Sequence, residues 1–436
     1  MRPRIPALVF GLCVLAPAAA CAKGNAAKVF EKAVKKGAPT PTIVEAAARL
    51  AESLDPKGVQ SLVRYGALVE KIDVYIACRD ALSQASGKAF AALKKALTSS
   101  KRVEQRVLCV DALGISQEPG AVEALGKALD DGAKPVRIAA IRALRKQERR
   151  EGIPLLYGRL SAVGFDSKDA EAEELYDALY ALTGQAYENL SDWQKWYESV
   201  GPDYDPKKQG NKGDGVSTLT RKGEGKIFGS VVRSQAFVLC LDISSSMRVI
   251  DLPPGETWKD SKGKAHKYKD PDPSGRKPPH PESRFSKARE AFIKFIEGLS
   301  ERARFAIVVF GDKKDTKAWK PQPVKATKRN KKAAIDYVKK LRWSYATRTD
   351  LALEEAFKIQ GVDSIYLYSD GIPEKRKGGA TVDIPADEIL ERARTLNRAR
   401  KLKINCYGMA SSKAMREFLR KLAEENDGEY KDLRVR

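Results

Sequence analysis

Histidine is nearly absent from this chain of 436 residues, which holds only His266 and His280. Six cysteines occur, none in a Cys-x-x-Cys pair. A structural zinc site therefore lacks its usual ligands. No Gly-x-Ser-x-Gly string is present, and no glycine-rich loop ending in Gly-Lys-Ser/Thr. The serine-nucleophile elbow and the phosphate-cradling loop are thereby excluded. Beyond the N-terminus no run of about 18 apolar residues offers a membrane span. Negative charge is also short: 57 Asp and Glu face 80 Lys and Arg, for a net +23. Such an excess favours anionic partners without specifying which. It is spread along the sequence rather than gathered in one basic tail.

The apolar share of 42% is enough to build real cores, and the length implies two or three domains. Residues 1–20 have the order of an export signal: Arg2 and Arg4, then an apolar Ile5 to Val14, then small residues to Ala20. The protein is therefore expected to be exported, to the periplasm, cell envelope or exterior. Ala18-Ala19-Ala20-Cys21 resembles a bacterial lipoprotein cleavage box, although Ala18 stands where leucine is usual. Two outcomes stay open: ordinary cleavage after Ala20 or Ala22, or lipidation of Cys21, the only route here to a membrane. Cys78, Cys109, Cys240 and Cys406 lie in apolar strings and read as small buried hydrophobes.

Between residues 25 and 200 the sequence repeats itself. Leu50, Leu82, Leu113 and Leu144 recur at steps of 32, 31 and 31. A second set, Leu62, Leu93, Leu125 and Leu156, follows at 31, 32 and 31. Apolar residues recur at three- and four-residue steps, as in amphipathic helices, and proline or glycine marks the junctions. A single helix pair cannot bury its apolar face, so the pairs must stack. The pattern resembles the short bacterial type of HEAT repeat and implies an all-α solenoid. Trp193 and Trp196 stand three apart in a final helix and are expected to cap the stack. Residues 201–233 are rich in Lys, Gly and Asp and read as a flexible linker.

From residue 234 to 436 the pattern changes to an α/β alternation. Continuous apolar runs at Ala236–Leu241, Arg304–Phe310, Ser364–Tyr368 and Leu402–Tyr407 predict buried parallel strands. Helical stretches lie between them, implying a doubly wound parallel sheet with ligands at the carboxyl ends of its strands. There stand Asp242-Ile-Ser244-Ser-Ser246, Thr349-Asp350 and Ser369-Asp370-Gly371. In type and order Asp242, Ser244, Ser246, Thr349 and Asp370 resemble the metal-ion-dependent adhesion site of the von Willebrand factor A family. The resemblance implies one divalent ion on these five residues: magnesium, with manganese or calcium as alternatives. All the donors are oxygens, which suits a hard cation. It implies a non-enzymatic role, in which an open coordination position accepts an acidic side chain of a partner protein. Each string alone is a common turn or helix cap; the three together carry the resemblance. One departure is Thr347-Arg348 where the family often has Gly-Gly, so that Arg348 is positioned either to crowd the site or to offer a cation to an acidic ligand.

An insertion at about 248–283, rich in Pro, Lys and Asp, separates the first loop from its helix. It reads either as a specificity loop beside the metal face or as a solvated insertion. Three functions compete. The first is a scaffold with a metal-dependent surface on the α/β domain and a second partner surface on the helical array. The second is metal-assisted phosphoester hydrolysis through Asp242 and Asp370. The third is charge-driven binding of acidic polymers; for nucleic acid no motif beyond charge exists.

Overall fold

The computed structural model describes residues 26–210, 225–250, 257–259, 265–266, 280–409 and 412–433. The expected export signal, Cys21, the middle of the expected linker and most of the 248–283 insertion lie outside the described residues.

The N-terminal part is helical: α1 (Ala26–Lys35), α2 (Thr40–Ala51), α3 (Pro56–Ser61), α4 (Ile72–Ser83), α5 (Gly87–Ser99) and α6 (Val103–Leu113). It continues with α7 (Ala121–Ala128), α8 (Lys134–Gln147), α9 (Gly152–Val163), α10 (Ala170–Thr183), α11 (Leu190–Ser199) and the short α12 (Pro206–Gln209). Helices α2, α4, α6, α8 and α10 pack each on the next in one layer, and the odd-numbered helices form the other. All eight leucines of the two repeat sets are buried at 2% exposure or less. Small residues set the spacing between neighbouring helices of a layer: a side chain at Gly114, where α6 ends, would collide with Ala143 of α8. Arg137 ties α8 to α10 through Glu171, and Arg159 of α9 reaches the same carboxylate.

Trp193 is fully buried, and its indole N–H donates to the Tyr187 carbonyl. Trp196 meets Trp193 and Tyr204 edge-on. The pair is thus packed into the end of the helical stack. The flanks of the expected linker are also ordered. Tyr204 Oη donates to the Leu182 carbonyl, which pins α12 to α10. Residues 226–231 form a small hairpin whose Phe228 stacks on Tyr368 and packs on Tyr407.

The C-terminal part is a mixed α/β sheet. Its strands are β1 (Ala236–Asp242), β2 (Arg304–Phe310), β3 (Lys317–Ala318), β4 (Val324–Lys325), β5 (Ser364–Ser369), β6 (Lys403–Gly408) and β7 (Tyr430–Asp432). The order is β7-β6-β5-β1-β2-β3, with β4 also on β2. The central pairs are parallel, and β3 and β4 add to β2 antiparallel. Helices α13 (Arg284–Gly298), α14 (Lys328–Lys340), α15 (Thr349–Lys358), α16 (Ala386–Asn397) and α17 (Lys413–Glu424) flank the sheet. Strands β1, β2 and β5 are buried on both faces, which is why they read as unbroken apolar runs. The four described cysteines are buried and free. Among the described residues no helix is long and apolar enough to cross a membrane.

The two parts are joined by ion pairs. Arg142 and Arg145 of α8 hold Asp427, at 2.9 and 2.5 Å. Lys401 reaches Asp111 at 2.8 Å, Lys403 reaches Asp177 at 2.9 Å, and Lys134 reaches Asp363 at 3.2 Å. Asp363, Lys401, Lys403 and Asp427 all stand at the amino ends of β5, β6 and β7. On the array these pairs fall on α6, α8 and α10, so the chain's own α/β domain packs on that side. Each strand of six residues spans about 20 Å, so the carboxyl end of the sheet lies well away from this junction.

Candidate functional site

Strand β1 ends in Asp242, where the apolar run Phe237–Leu241 gives way to a polar residue, and the chain then tightens into a 3-10 turn over Ser245–Arg248. Asp242 Oδ1 accepts from the Ser244 backbone N–H at 2.7 Å. Its Oδ2 accepts from Ser369 Oγ, the last residue of β5, at 2.5 Å. Ser244 Oγ and Ser246 Oγ are 2.8 Å apart, and Ser246 Oγ donates to Asp370 Oδ1 at 2.7 Å. Asp242, Ser244, Ser246 and Asp370 thus form one hydrogen-bonded cluster at the carboxyl ends of β1 and β5. Neither Ser244 nor Ser246 caps the turn through its side chain.

Thr349 is placed differently. It is the first residue of α15, fully buried, and its Oγ1 has no hydrogen-bond partner. The loop before it is held to the same sheet end, since the Arg348 N–H donates to the Gly311 carbonyl and the Ser344 N–H to the Ile243 carbonyl. No hydrogen bond joins Thr349 to the other four. A buried hydroxyl without a partner costs about 1–3 kcal/mol, so its retention calls for a ligand or another explanation. It is not a helix cap: Arg348 occupies that position.

Arg348 does not crowd the cluster. Its guanidinium forms a two-pronged pair with Asp350, at 2.9 and 2.6 Å. The cation at the site is instead Arg284, the first residue of α13, whose Nη1 lies 2.8 Å from Asp370 Oδ2. The insertion begins and ends against this helix start: Ile250 and Ser283 form a bridge, and the Arg284 N–H donates to the Val249 carbonyl. Ser283 caps α13 by accepting from the Ser286 N–H. Gly371 completes the pocket, because a side chain there would press on Ser246 Oγ and Thr347 Oγ1 at 2.8 Å.

Asp242 and Asp370 are both buried, with Arg284 as the ion-paired cation. Burial first, and the Asp370 charge second, push the Asp242 carboxyl up to about 7. Two buried carboxylates and three hydroxyls, one of them unpartnered, are a donor set that suits a small divalent cation. Among the described residues no group of three or more His, Cys, Asp or Glu gathers as a metal site. That accords with a set of two carboxylates and three hydroxyls. Two participants escaped the sequence reading. Ser369 adjoins Asp370 in the Ser-Asp-Gly string and could have been found there. Arg284 lies across the insertion from Met247 and left no signal.

Residues 280–432 match the family model described as the von Willebrand factor type A domain, which supports a domain of that type in the C-terminal part. The match begins after the Asp242 loop, although β1 is central in the same sheet. Among solved structures, the pilus adhesin SpaC from Lactobacillus rhamnosus GG in its open conformation is similar at 13% identity and a TM-score of 0.31. That likeness covers 45% of this chain and 28% of the adhesin. An engineered protein is similar at 20% identity and a TM-score of 0.21, covering 42% of this chain and 92% of its own. This chain spans less than a third of the adhesin's length.

Proposed function

We propose that the α/β domain binds a partner protein through a divalent cation held by Asp242, Ser244, Ser246, Thr349 and Asp370. The observation that carries this is the cluster at the carboxyl end of β1 and β5, with two buried carboxylates against Arg284 and the Thr349 hydroxyl unpartnered. The ion would be magnesium, with manganese or calcium as alternatives, since all five donors are oxygens. When bound, it supplies an open coordination position for an acidic side chain of the partner. Ser369 and Arg284 act as positioning residues: the first fixes the Asp242 carboxylate and the second orients Asp370.

In this reading the protein is a non-enzymatic scaffold, exported to the cell envelope or beyond. The helical array, HEAT-like in its repeat, serves as the base on which the α/β domain is mounted. Mounting it by the amino ends of the strands leaves the carboxyl ends facing away from the base. The test is capture of partners from envelope extract by the full chain, with magnesium and with chelator. A partner retained with magnesium, released by chelator and absent with folded Asp242→Ala supports the reading. Partners that survive both treatments overturn it.

A further inference from the structure

Positive charge is densest in one stretch of the described residues. Between residues 313 and 342 stand twelve Lys and Arg against only Asp315 and Asp336, a net +10 within the chain's +23. Among the described residues none of the twelve forms an ion pair, and all but Lys331 are exposed. By contrast, neighbouring cations on the other flank are paired, as Arg392 with Glu354 and Arg394 with Glu425. These 30 consecutive residues alone carry a net +10 of the chain's +23.

The placement is linear. Lys325 pairs in register with Arg304 at the amino end of β2, and Lys328 opens α14 just beyond it. Helix α14 then runs about 20 Å for its 13 residues. Its buried residues are Ala334 and Val338, and Lys332, Lys339 and Lys340 are exposed. The chain next reaches Ser344, whose N–H donates to the Ile243 carbonyl beside the metal-site loop. Lys313 and Lys314 follow β2 at that same end. The basic residues thus gather around β3 and β4, at the β2 edge of the sheet, and on the exposed side of α14.

We propose that this strip is a docking track for a linear anionic polysaccharide. Unpaired like charges on one surface repel one another, and a polyanion laid along them relieves that repulsion. Ten of the twelve cations are lysines, which act as point charges on spaced anions rather than as two-pronged phosphate clamps. A single-stranded nucleic acid would need aromatic platforms. Trp319 and Tyr337 are instead packed on each other, and Trp319 on Phe305. An adsorbed bilayer would be gripped by exposed apolar side chains. The exposed large hydrophobics, Val29, Leu68, Tyr345, Ile372 and Val382, all lie outside 313–342.

The test is binding of the full chain to fluorescent heparin and polygalacturonate, in chelator, across a range of salt. Binding to both is expected in chelator, with log affinity falling linearly in log salt. The triple variant Lys328→Glu, Lys332→Glu, Lys339→Glu should lose more than about tenfold in affinity. A control of equal charge, Lys57→Glu, Lys88→Glu, Lys101→Glu on the array, should lose no more than about threefold if the strip matters. Circular dichroism establishes that both are folded, and the milder Lys332→Gln, Lys339→Gln pair should fall between. Equal losses in both triples would overturn the proposal, leaving net charge alone. Tighter strip-dependent binding to duplex DNA or to phosphatidylglycerol vesicles than to either glycan would overturn it too. Because the assay is run in chelator, it is independent of the metal-bridged reading.

Discussion

Arg284 Nη1 lies 2.8 Å from Asp370 Oδ2, with the carboxylate side chain wholly buried. This pair shapes the site before any ion arrives. It engages Asp370, while the Asp242 carboxylate is held by hydrogen bonds from Ser244 and Ser369. Breaking a buried pair by removing one partner costs about 3–5 kcal/mol. Arg284→Met should therefore lower the melting temperature in chelator. The same change makes the site more negative, so divalent cation should restore much of the loss and bind more tightly than to the wild type. Melting curves in chelator and in magnesium check both signs.

Thr349 gives a test of opposite sense. Its buried Oγ1 has no hydrogen-bond partner, so Thr349→Val removes an unsatisfied group while keeping shape. Denaturant unfolding in chelator should show no loss of stability, or a gain of up to about 1 kcal/mol. Calorimetric titration should show divalent-cation affinity falling by about tenfold. A stability loss in chelator with unchanged cation affinity would mean that the hydroxyl serves the fold and not an ion.

Gly371 separates the geometry of the site from its charge. A methyl group there would meet Ser246 Oγ and Thr347 Oγ1 at 2.8 Å, and either hydroxyl can swing aside. Gly371→Ala should cost about 1–3 kcal/mol of stability. It should weaken cation binding by about 10- to 100-fold, because Ser246 is displaced while both carboxylates remain.

Much of this was legible in the sequence. Strands β1, β2, β5 and β6 fall within a residue or two of expectation, because strands buried on both faces leave unbroken apolar runs. The repeat leucines mark the buried line of the array for the same reason. Strands β3, β4 and β7 were missed: two or three residues carry no periodic signal. The junction between the halves was invisible because its ion pairs join residues far apart, such as Asp111 with Lys401.

The junction also makes an acid-sensitivity testable. Burial alone would raise the Asp427 carboxyl, but Arg142 and then Arg145 overcome it and hold it below the ordinary range. A depressed carboxyl contributes stability that is fully present above its unfolded value, about 3.9. It is lost as pH falls through the lower folded value. Melting temperature should therefore drop below about pH 4, and Asp427→Asn should flatten that part of the profile while lowering stability at neutral pH. Glu173, which burial raises, works in the opposite sense.

Direct titration of the full chain with magnesium and manganese tests the central claim most closely, with Asp242→Asn as its partner. The wild type should take up one ion per chain in both titrations, and folded Asp242→Asn should take up none at the same concentrations. Equal uptake by the two proteins, or no uptake by the wild type at millimolar metal, would mean that the cluster at Asp242 and Asp370 is not a metal site.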